Sequence, residues 1–317
     1  DVLILDSYIN SSSNVTNRIK TYLNKKGLNY KLEIFKGDIR DKEILDNVFN
    51  NSINENKPID TVIHLAGLKS VSESLTNPLH YWDVNVCGTQ NLLSTMNEYK
   101  CYSIVFSSSA TIYGLSNSVP INEDHKLSPI NPYGRTKVAI ENMFYDLYKS
   151  NLNSWKICSL RYFNPVGAHP SGMIGEDPIG IPNNLFPYIS QVAVGRRESL
   201  NVFGDDWDTN DGSGVRDYIH IMDLSEGHIE AIKFLNSKES CFEFINLGSG
   251  IGYSVFQIIN QFELSTGLKI PFSIQSRRDG DVAKCFADIK KAKKLLGWIP
   301  QRSLDQICQD SWNWQRK

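Results

Sequence analysis

The chain lacks the residue patterns that mark disulfide frameworks, metal sites and acyl-enzymes. Its six cysteines, at 87, 101, 158, 241, 285 and 308, are scattered and form no Cys-x-x-Cys. Such scattering favours reduced thiols in a cytosolic protein over a disulfide framework. The six histidines show no metal spacing and there is no Gly-x-Ser-x-Gly, so we expect neither a bound metal nor a serine hydrolase.

A large charge of one sign and long apolar runs are also lacking. The 33 basic and 35 acidic side chains leave a formal charge of -2 at pH 7, which gives no reason to expect nucleic acid as a partner. No apolar run approaches the length of a membrane span, and no signal peptide is visible. We therefore expect a cytoplasmic protein with no membrane partner.

The first part of the chain alternates strand-like and helix-like segments. Apolar strand-like runs occur at 2–5, 31–35, 61–65, 103–106 and 156–160, with helical segments at 42–50 and about 81–99. This alternation predicts an α/β fold with a doubly wound parallel sheet. After Asn164-Pro165 it stops, and glycine and proline become dense up to Pro187. We predict a dinucleotide-binding domain at 1–165 and a smaller mixed α/β substrate domain at 166–317.

The first strand ends in an acid, Asp6, with no glycine-rich turn before it. In a dinucleotide-binding fold this acid ends the second strand and accepts the ribose hydroxyls. The first strand and the turn that cradles the pyrophosphate should then lie upstream, and residue 1 is Asp. We expect a fragment that lacks its first βα unit, with a gap between the strands at 2–6 and 61–65 and weak cofactor binding alone.

A glycine-rich segment occurs late in the chain, at Gly248-Ser249-Gly250-Ile251-Gly252. It follows a strand-like run and precedes a helix, as a phosphate-binding turn does. However, it lies about 240 residues after the ribose acid, whereas that turn precedes the acid by about 20. We interpret it as a tight turn of the second domain.

The clearest chemical motif is Asn131-Pro132-Tyr133-Gly134-Arg135-Thr136-Lys137. With Asn131 as the cap and Pro132 at the first position of a helix, Tyr133 and Lys137 lie one turn apart on one face. The cation and the helix N-terminus both favour phenolate, so we expect the pKa of Tyr133 to move from about 10 toward neutrality. Such a pair can accept a proton from a sugar hydroxyl while a nicotinamide takes the hydride.

The same Tyr-x-x-x-Lys spacing recurs at Tyr22 with Lys26 and at Tyr145 with Lys149. Only Tyr133 opens a helix behind an Asn-Pro start and follows a strand-like run that ends in the hydroxyl cluster 107–111. The sequence context therefore selects Tyr133.

These segments together resemble the extended short-chain dehydrogenases that act on nucleotide sugars, and most closely the UDP-galactose 4-epimerases. The resemblance extends from Asp6 to the terminal 312–315 segment. It is strongest at 66–69, 107–114, 132–137, 160–170 and 180–185.

The resemblance implies a role for each matching residue. Tyr133 would be the base, Lys137 would hold the nicotinamide ribose and tune Tyr133, and Ser109 would hydrogen-bond the sugar and the tyrosine. NAD would contact Ser109, Tyr133 and Lys137 together with Asp6, Asn10, Ser11, Asp38, Ile39, Leu65, Ala66, Gly67, Lys69, Asn85 and Phe163. The UDP-hexose would contact Ser109 and Tyr133 together with Asn164, Asn184, Val202, Phe203, Arg216, Arg278, Asp281 and Cys285.

The positions after Ser109 separate this chain from its relatives. Sugar-nucleotide dehydratases that resemble it carry an Asp-Glu pair there, whereas this chain has Ala110 and Thr111. The resemblance then implies reversible oxidation at sugar C4. A UDP-glucuronate 4-epimerase and a nucleotide-sugar-binding protein without turnover remain alternatives.

Two finer expectations come from the resemblance alone. The position of Cys285 limits substrate size in the family, so a cysteine predicts that N-acetylated sugars are accepted as well; ordinary packing is the alternative. The family pairs through the helices at about 81–99 and 133–150, which predicts a homodimer.

Overall fold

The structure is a computed structural model that describes residues 1–115, 118–151, 154–178, 180, 182, 184–278 and 280–317. Ile181, Asn183 and Asp279, which belong to segments noted above, lie outside these residues. The strands of the described part are β1 (Val2–Asp6), β2 (Leu32–Lys36), β3 (Val62–His64), β4 (Ser103–Ser109), β5 (Lys156–Tyr162), β6 (Asn164–Val166), β7 (Leu200–Phe203), β8 (Val215–His220), β9 (Cys241–Leu247), β10 (Gly252–Ser254), β11 (Phe272–Gln275) and β12 (Lys284–Cys285).

Helices connect most of these strands. They are α1 (Asn14–Lys25), α2 (Lys42–Asn54), α3 (Val71–Thr76), α4 (Pro78–Tyr81), α5 (Gly88–Glu98), α6 (Pro132–Ser150), α7 (Leu185–Ala193), α8 (Ile221–Asn236), α9 (Val255–Thr266), α10 (Lys290–Leu296) and α11 (Leu304–Gln315). A π-helical segment, Trp82–Cys87, joins α4 to α5, and a 3-10 turn, Ala110–Tyr113, follows β4. The single helix predicted at about 81–99 is therefore two kinds of helix in series.

The main sheet has the order β3-β4-β5-β9, and all its strands are parallel. Side chains alternate across it as a strand requires. Ile104 and Phe106 of β4 pack with α5 and α6 on one face, whereas Val105 packs with α8 on the other. Both faces are covered by helices, which confirms the α/β prediction and explains why β4 is apolar at consecutive positions.

A second parallel sheet contains β1 and β2, in register from Val2↔Leu32 to Asp6↔Lys36. Among the described residues, β1 pairs only with β2 and β3 pairs only with β4. Val2 is 54% exposed and Ile63 is 40% exposed. The expectation that a further strand belongs between β1 and β3 stays a prediction.

The later part of the chain forms smaller sheets. β8 pairs with β10, β12 and β6, and β7 pairs with β11. Their core includes side chains of α7, α9 and α11, such as Phe186, Phe262 and Ile307.

β9 comes after the boundary predicted at residue 165 but belongs to the sheet of the first part of the chain. It lies at 241–247 in sequence but pairs with β5 along its whole length, from Lys156↔Cys241 to Tyr162↔Leu247. The change in composition after Pro165 marks where the chain leaves the first sheet, and gives no sign that a later strand returns to it.

Candidate functional site

The site lies at the carboxyl end of β4. Ser109 is the last residue of β4, opposite Tyr162 of β5, and its Oγ accepts hydrogen bonds from the Thr111 N–H (3.3 Å) and hydroxyl (2.9 Å). A polar residue at a parallel-strand end faces the crevice where α/β sheets bind ligands.

The helix α6 carries the candidate base to the same place. The Asn131 side chain caps α6 by accepting from the Gly134 N–H at 2.8 Å, and Pro132 occupies the first turn, as predicted. Tyr133 is 9% exposed and Lys137 is 5% exposed. The Ser109 side chain lies close enough to Tyr133 to act on its pKa, and the Lys137 Nζ donates to the Ser107 carbonyl at 2.6 Å. The structure thus brings the three predicted catalytic residues together.

The prediction for the Tyr133 pKa is wrong in this structure. Burial raises that pKa above its usual value, and the Ser109 side chain is the opposing effect. The Lys137 Nζ lies 5.8 Å from the Tyr133 ring centroid, and nearer to the Phe106 ring at 4.6 Å. Burial also lowers the pKa of Lys137 from 10.5 to about 8. The sequence shows which groups are neighbours but not how far water is excluded from them.

The two other Tyr-x-x-x-Lys pairs have similar internal geometry. The Lys26 Nζ lies 5.8 Å from the Tyr22 ring and the Lys149 Nζ lies 5.4 Å from the Tyr145 ring. Tyr145 is 48% exposed, whereas Tyr133 is buried beside Ser109. Burial and the neighbouring strand end distinguish Tyr133 from the others, and the spacing does not.

The loop after β3 approaches the same group. Gly67 has φ +154°, and a Cβ placed there would lie 3.1 Å from Asn85 Oδ1 and 4.0 Å from Lys137 Nζ. The buried Asn85 accepts from the Leu68 N–H at 2.8 Å and donates to the Leu68 carbonyl and the Thr136 hydroxyl, both at 3.1 Å. Asn85 therefore fastens this loop to α6.

The other predicted cofactor contacts lie around the ends of β1 to β3 and β5. Asp6 Oδ1 accepts from the Tyr8 N–H (2.7 Å) and the Ser11 hydroxyl (3.2 Å). Both Asp38 carboxylate oxygens are bound by Arg40, so Asp38 is paired within the chain. Of the rest, Asn10, Leu65, Ala66 and Lys69 are exposed, and Ile39 and Phe163 are buried.

A charged cluster forms where β8 meets the loop before β12. The Asp281 carboxylate lies 3.0 Å from Arg278 Nε and 3.5 Å from Arg216 Nη2. Arg216 Nη1 also donates to the Val215 and Val282 carbonyls, and the Arg278 guanidinium lies 4.6 Å from the Phe203 ring centroid. Two guanidinium groups held in this way suit a diphosphate.

The remaining predicted substrate residues occupy different settings. Cys285 of β12 is in register with Arg216 of β8, and burial raises the pKa of its thiol to about 11. Asn164 pairs with Tyr218 in β6, and Asn184 is exposed at the cap of α7. Val202 is only 1% exposed and belongs to the hydrophobic core, so its side chain is not available to line a pocket.

A buried ion pair beneath Ser109 was missed by the sequence argument. Glu141 and Arg161 have side chains 1% and 2% exposed, and Arg161 Nη2 donates to Glu141 at 2.8 Å. Glu141 also accepts from the hydroxyls of Ser108 (2.7 Å) and Ser159 (2.9 Å). The signal was available, because Arg161 follows the apolar run at 156–160.

The late glycine-rich turn already holds an anion of the chain itself. The carboxylate of the buried Asp217 accepts the N–H groups of Ser249 and Gly250 at 2.6 and 3.0 Å. This is how a turn of successive amides binds an anion, and it supports the interpretation as a turn of the second domain.

The described residues form neither a metal-binding cluster nor a membrane-spanning helix. No group of three or more His, Cys, Asp or Glu side chains is placed to hold a metal ion within the described part. Within it, too, no helix combines the length and apolarity that crossing a membrane requires.

Fold and site together define a Rossmann-type protein of the short-chain dehydrogenase/reductase class. A family model described as GDP-mannose 4,6 dehydratase matches residues 2–311. The UDP-glucose 4-epimerase of Bacillus subtilis (strain 168) is 49% identical over 316 residues, which cover 99% of this chain and 89% of that protein.

Solved structures agree with this assignment. The UDP-glucose-4-epimerase from Stenotrophomonas maltophila, crystallised with NAD and formylated UDP-arabinopyranose, has TM-score 0.93 and 43% identity, covering 99% of this chain and 90% of that one. The Bifidobacterium longum enzyme, in complex with NAD+ and UDP, has TM-score 0.91 and 42% identity, covering 100% and 91%. The chain belongs to the family that the model describes and, within it, to the UDP-glucose 4-epimerases.

Proposed function

We propose that the protein is an NAD-dependent isomerase that interconverts UDP-galactose and UDP-glucose by transient oxidation at sugar C4. One observation carries this proposal: Ser109, Tyr133 and Lys137 meet at the end of β4 beside the Gly67 loop, with Tyr133 and Lys137 buried. A binding protein without turnover has no need of a phenol buried against a serine and a lysine.

The residues present fit NAD. Gly67 leaves open a space that a Cβ would fill, beside Lys137, and a bare backbone allows a cofactor to approach closely. Lys137 would hold the nicotinamide ribose, and Asp6 with Ser11 would accept and donate at the adenosine ribose. When bound, NAD supplies reversible hydride transfer at C4 of the sugar.

The protein supplies the proton transfer. Tyr133 would take the proton of the C4 hydroxyl and return it in the reverse direction, while Ser109 would hold that hydroxyl by a hydrogen bond. Because burial raises the pKa of Tyr133 in the structure described, phenolate needs positive charge nearby. Lys137, protonated below about pH 8, is the cation on the next turn of α6.

Arg216 and Arg278 would grip the diphosphate, since paired guanidinium groups match phosphate oxygens, and Asp281 holds both guanidinium groups in place. An anchor at the nucleotide leaves the hexose free to turn over and present its other face. The hexose would then take the hydride back at C4 on its opposite face and the proton at O4 from Tyr133, which inverts C4. Ala110 and Thr111 supply no acid for the elimination that a dehydratase performs.

We infer that residues 1–165, with β9 added to their sheet, bind NAD and that residues 166–317 bind the UDP-sugar.

We also propose a cytoplasmic homodimer. Support for the dimer comes from large apolar side chains that are exposed next to and on the predicted pairing helices: Leu75 (62%), Leu79 (82%), Trp82 (38%) and Tyr145 (48%).

The decisive experiment measures UDP-glucose formed from UDP-galactose, with NAD supplied, on the wild type, Tyr133→Phe and Tyr145→Phe. Tyr133→Phe should lose activity by a factor of about 10²–10⁴, the usual range for general acid–base catalysis. Tyr145→Phe makes the same change in another Tyr-x-x-x-Lys pair, at an exposed position, and should retain activity. Epimerisation of UDP-glucuronate without conversion of UDP-galactose would instead favour a UDP-glucuronate 4-epimerase. UDP-sugar binding without any turnover would favour a nucleotide-sugar-binding protein.

A second candidate activity, on N-acetylated UDP-hexoses, is favoured by Cys285. Its side chain is small, half-buried and in register with Arg216. Cys285→Tyr should therefore abolish activity on UDP-N-acetylgalactosamine and spare activity on UDP-galactose. Equal activity of both proteins on the N-acetyl sugar would show that Cys285 is ordinary packing.

A further inference from the structure

Asp217 is a buried carboxylate for which the proposed chemistry has no use. It lies on β8 next to Arg216 and is 0% exposed. Its Oδ1 accepts from the Ser249 N–H (2.6 Å) and hydroxyl (2.7 Å), and its Oδ2 accepts from the N–H groups of Gly250 and Ala287, both at 3.0 Å. Both oxygens are thus occupied, so Asp217 is unavailable to a substrate.

The Ala287 contact continues the pairing of the strand that carries Cys285. β12 pairs with β8 only at Lys284↔Val215 and Cys285↔Arg216. Beyond that point, the N–H of residue 287 points to Asp217 instead of to a backbone carbonyl of β8. The side chain of Asp217 therefore extends the attachment of this segment past the two-residue ladder.

The other edge of the same segment is tied to the first part of the chain. Ile121 donates to the Phe286 carbonyl and accepts from the Asp288 N–H, both at 2.8 Å. The segment 284–288 is therefore held between Ile121 on one side and β8 with Asp217 on the other. Cys285 lies at the start of this clamped segment.

The turn at 248–250, which binds the Asp217 carboxylate, is tightly packed. A Cβ at Gly248 would lie 2.4 Å from Asp217 Oδ2 and 2.8 Å from the Ala287 Cβ. The turn, the carboxylate and the segment are consequently packed in direct contact, and a shift of one moves the others.

We propose that Asp217 is a positioning residue that fixes the Cys285 segment against the Arg216 strand. It thereby sets the spacing between the groups that grip the diphosphate and the wall of the sugar pocket. This inference rests on the proposed function for the identity of the ligand. Asp217 acts only through Cys285 and its neighbours, and touches neither sugar nor cofactor.

The test measures the effect on sugar binding separately from the effect on diphosphate binding. We would measure Kd by calorimetry for UDP and for UDP-galactose on the wild type, Asp217→Asn and Asp223→Asn, and kcat and KM with both UDP-galactose and UDP-N-acetylgalactosamine. Asn keeps the shape of Asp217, but its amide nitrogen cannot accept from Gly250 and Ala287. Asp223 is an equally buried control carboxylate, which accepts the Arg302 N–H at 3.0 Å and pairs with the Arg302 guanidinium.

We expect Asp217→Asn to change the ratio of the two Kd values about tenfold, the order expected when a buried hydrogen-bonding group loses its partner. The kcat/KM ratio of the two sugars should shift as well, while the Kd for UDP alone stays within about threefold, because β6 and β10 still hold the Arg216 strand. Asp223→Asn should leave both ratios unchanged. Ser249→Ala, which removes one donor and keeps the charge, should shift the ratios in the same direction by less, and it replaces Asp217→Asn if that variant does not fold.

Equal losses for UDP and UDP-galactose in Asp217→Asn, or ratios as unchanged as in Asp223→Asn, would overturn the inference and leave Asp217 with a purely structural role. The binding ratio needs no turnover. A wild type that binds UDP-galactose without converting it would therefore refute the proposed function while still testing the positioning role.

Discussion

The buried Glu141–Arg161 pair allows a sharp test of what stabilises the sheet beneath Ser109. Glu141→Gln removes one charge and leaves the guanidinium of Arg161 buried without a carboxylate. Four hydrogen bonds now converge on Glu141, from Ser108, Ser159 and two nitrogens of Arg161. Breaking a buried ion pair on one side costs about 3–5 kcal/mol, against a total stability of about 5–15 kcal/mol for a typical protein.

Urea unfolding followed by circular dichroism would measure this cost. The matched control is Glu230→Gln, because Glu230 pairs with Lys233 at 2.8 Å on the surface and such pairs contribute less than about 1 kcal/mol. Replacing both partners by methionine should restore much of the stability, since the unpaired charge is then gone. A Glu141→Gln protein that unfolds at the same urea concentration as Glu230→Gln would refute the reasoning.

Three further predictions concern the cofactor loop, a titration and the proposed dimer. Gly67→Ala should remain folded but bind NAD with a higher Kd in a calorimetric titration, because φ +154° and the contact with Asn85 disfavour a side chain. Burial lowers the pKa of Lys137 from 10.5 to about 8. Between these two pH values, Lys137 therefore carries a proton in the unfolded chain and not in the folded protein. Stability relative to Lys137→Met should therefore rise with pH, by up to about 3 kcal/mol, and a pH-independent difference in urea midpoints would contradict this. Leu79→Asp should shift the mass measured by light scattering from dimer to monomer, whereas Leu264→Asp, at a similarly exposed residue, should not.

Local sequence patterns predicted the structure correctly where it depends on residues that are close in sequence. The Asn131-Pro132 start of α6 was predictable because a cap and a first-turn proline act within four residues. The alternation of strands and helices similarly predicted the α/β sheet.

Predictions from sequence were poorer where a side chain depends on distant parts of the chain. Alternation in β7 says that Val202 and Phe203 face opposite sides, but only the packed core shows that Val202 is the inward one. The partners of Asp217 come from 249–250 and 287, which no local pattern connects to it. The pKa of Tyr133 depends on burial by several elements at once, and for that reason it was predicted in the wrong direction.

The amide of Asn85 has a consequence for how a cofactor would arrive. It satisfies both the N–H and the carbonyl of Leu68, as an adjacent strand would. The conformational entropy of the 66–69 loop is therefore lost when the chain folds, and not when a ligand enters. The rate of NAD association at this loop should then be limited by diffusion and access to the crevice, without a slow loop-ordering step.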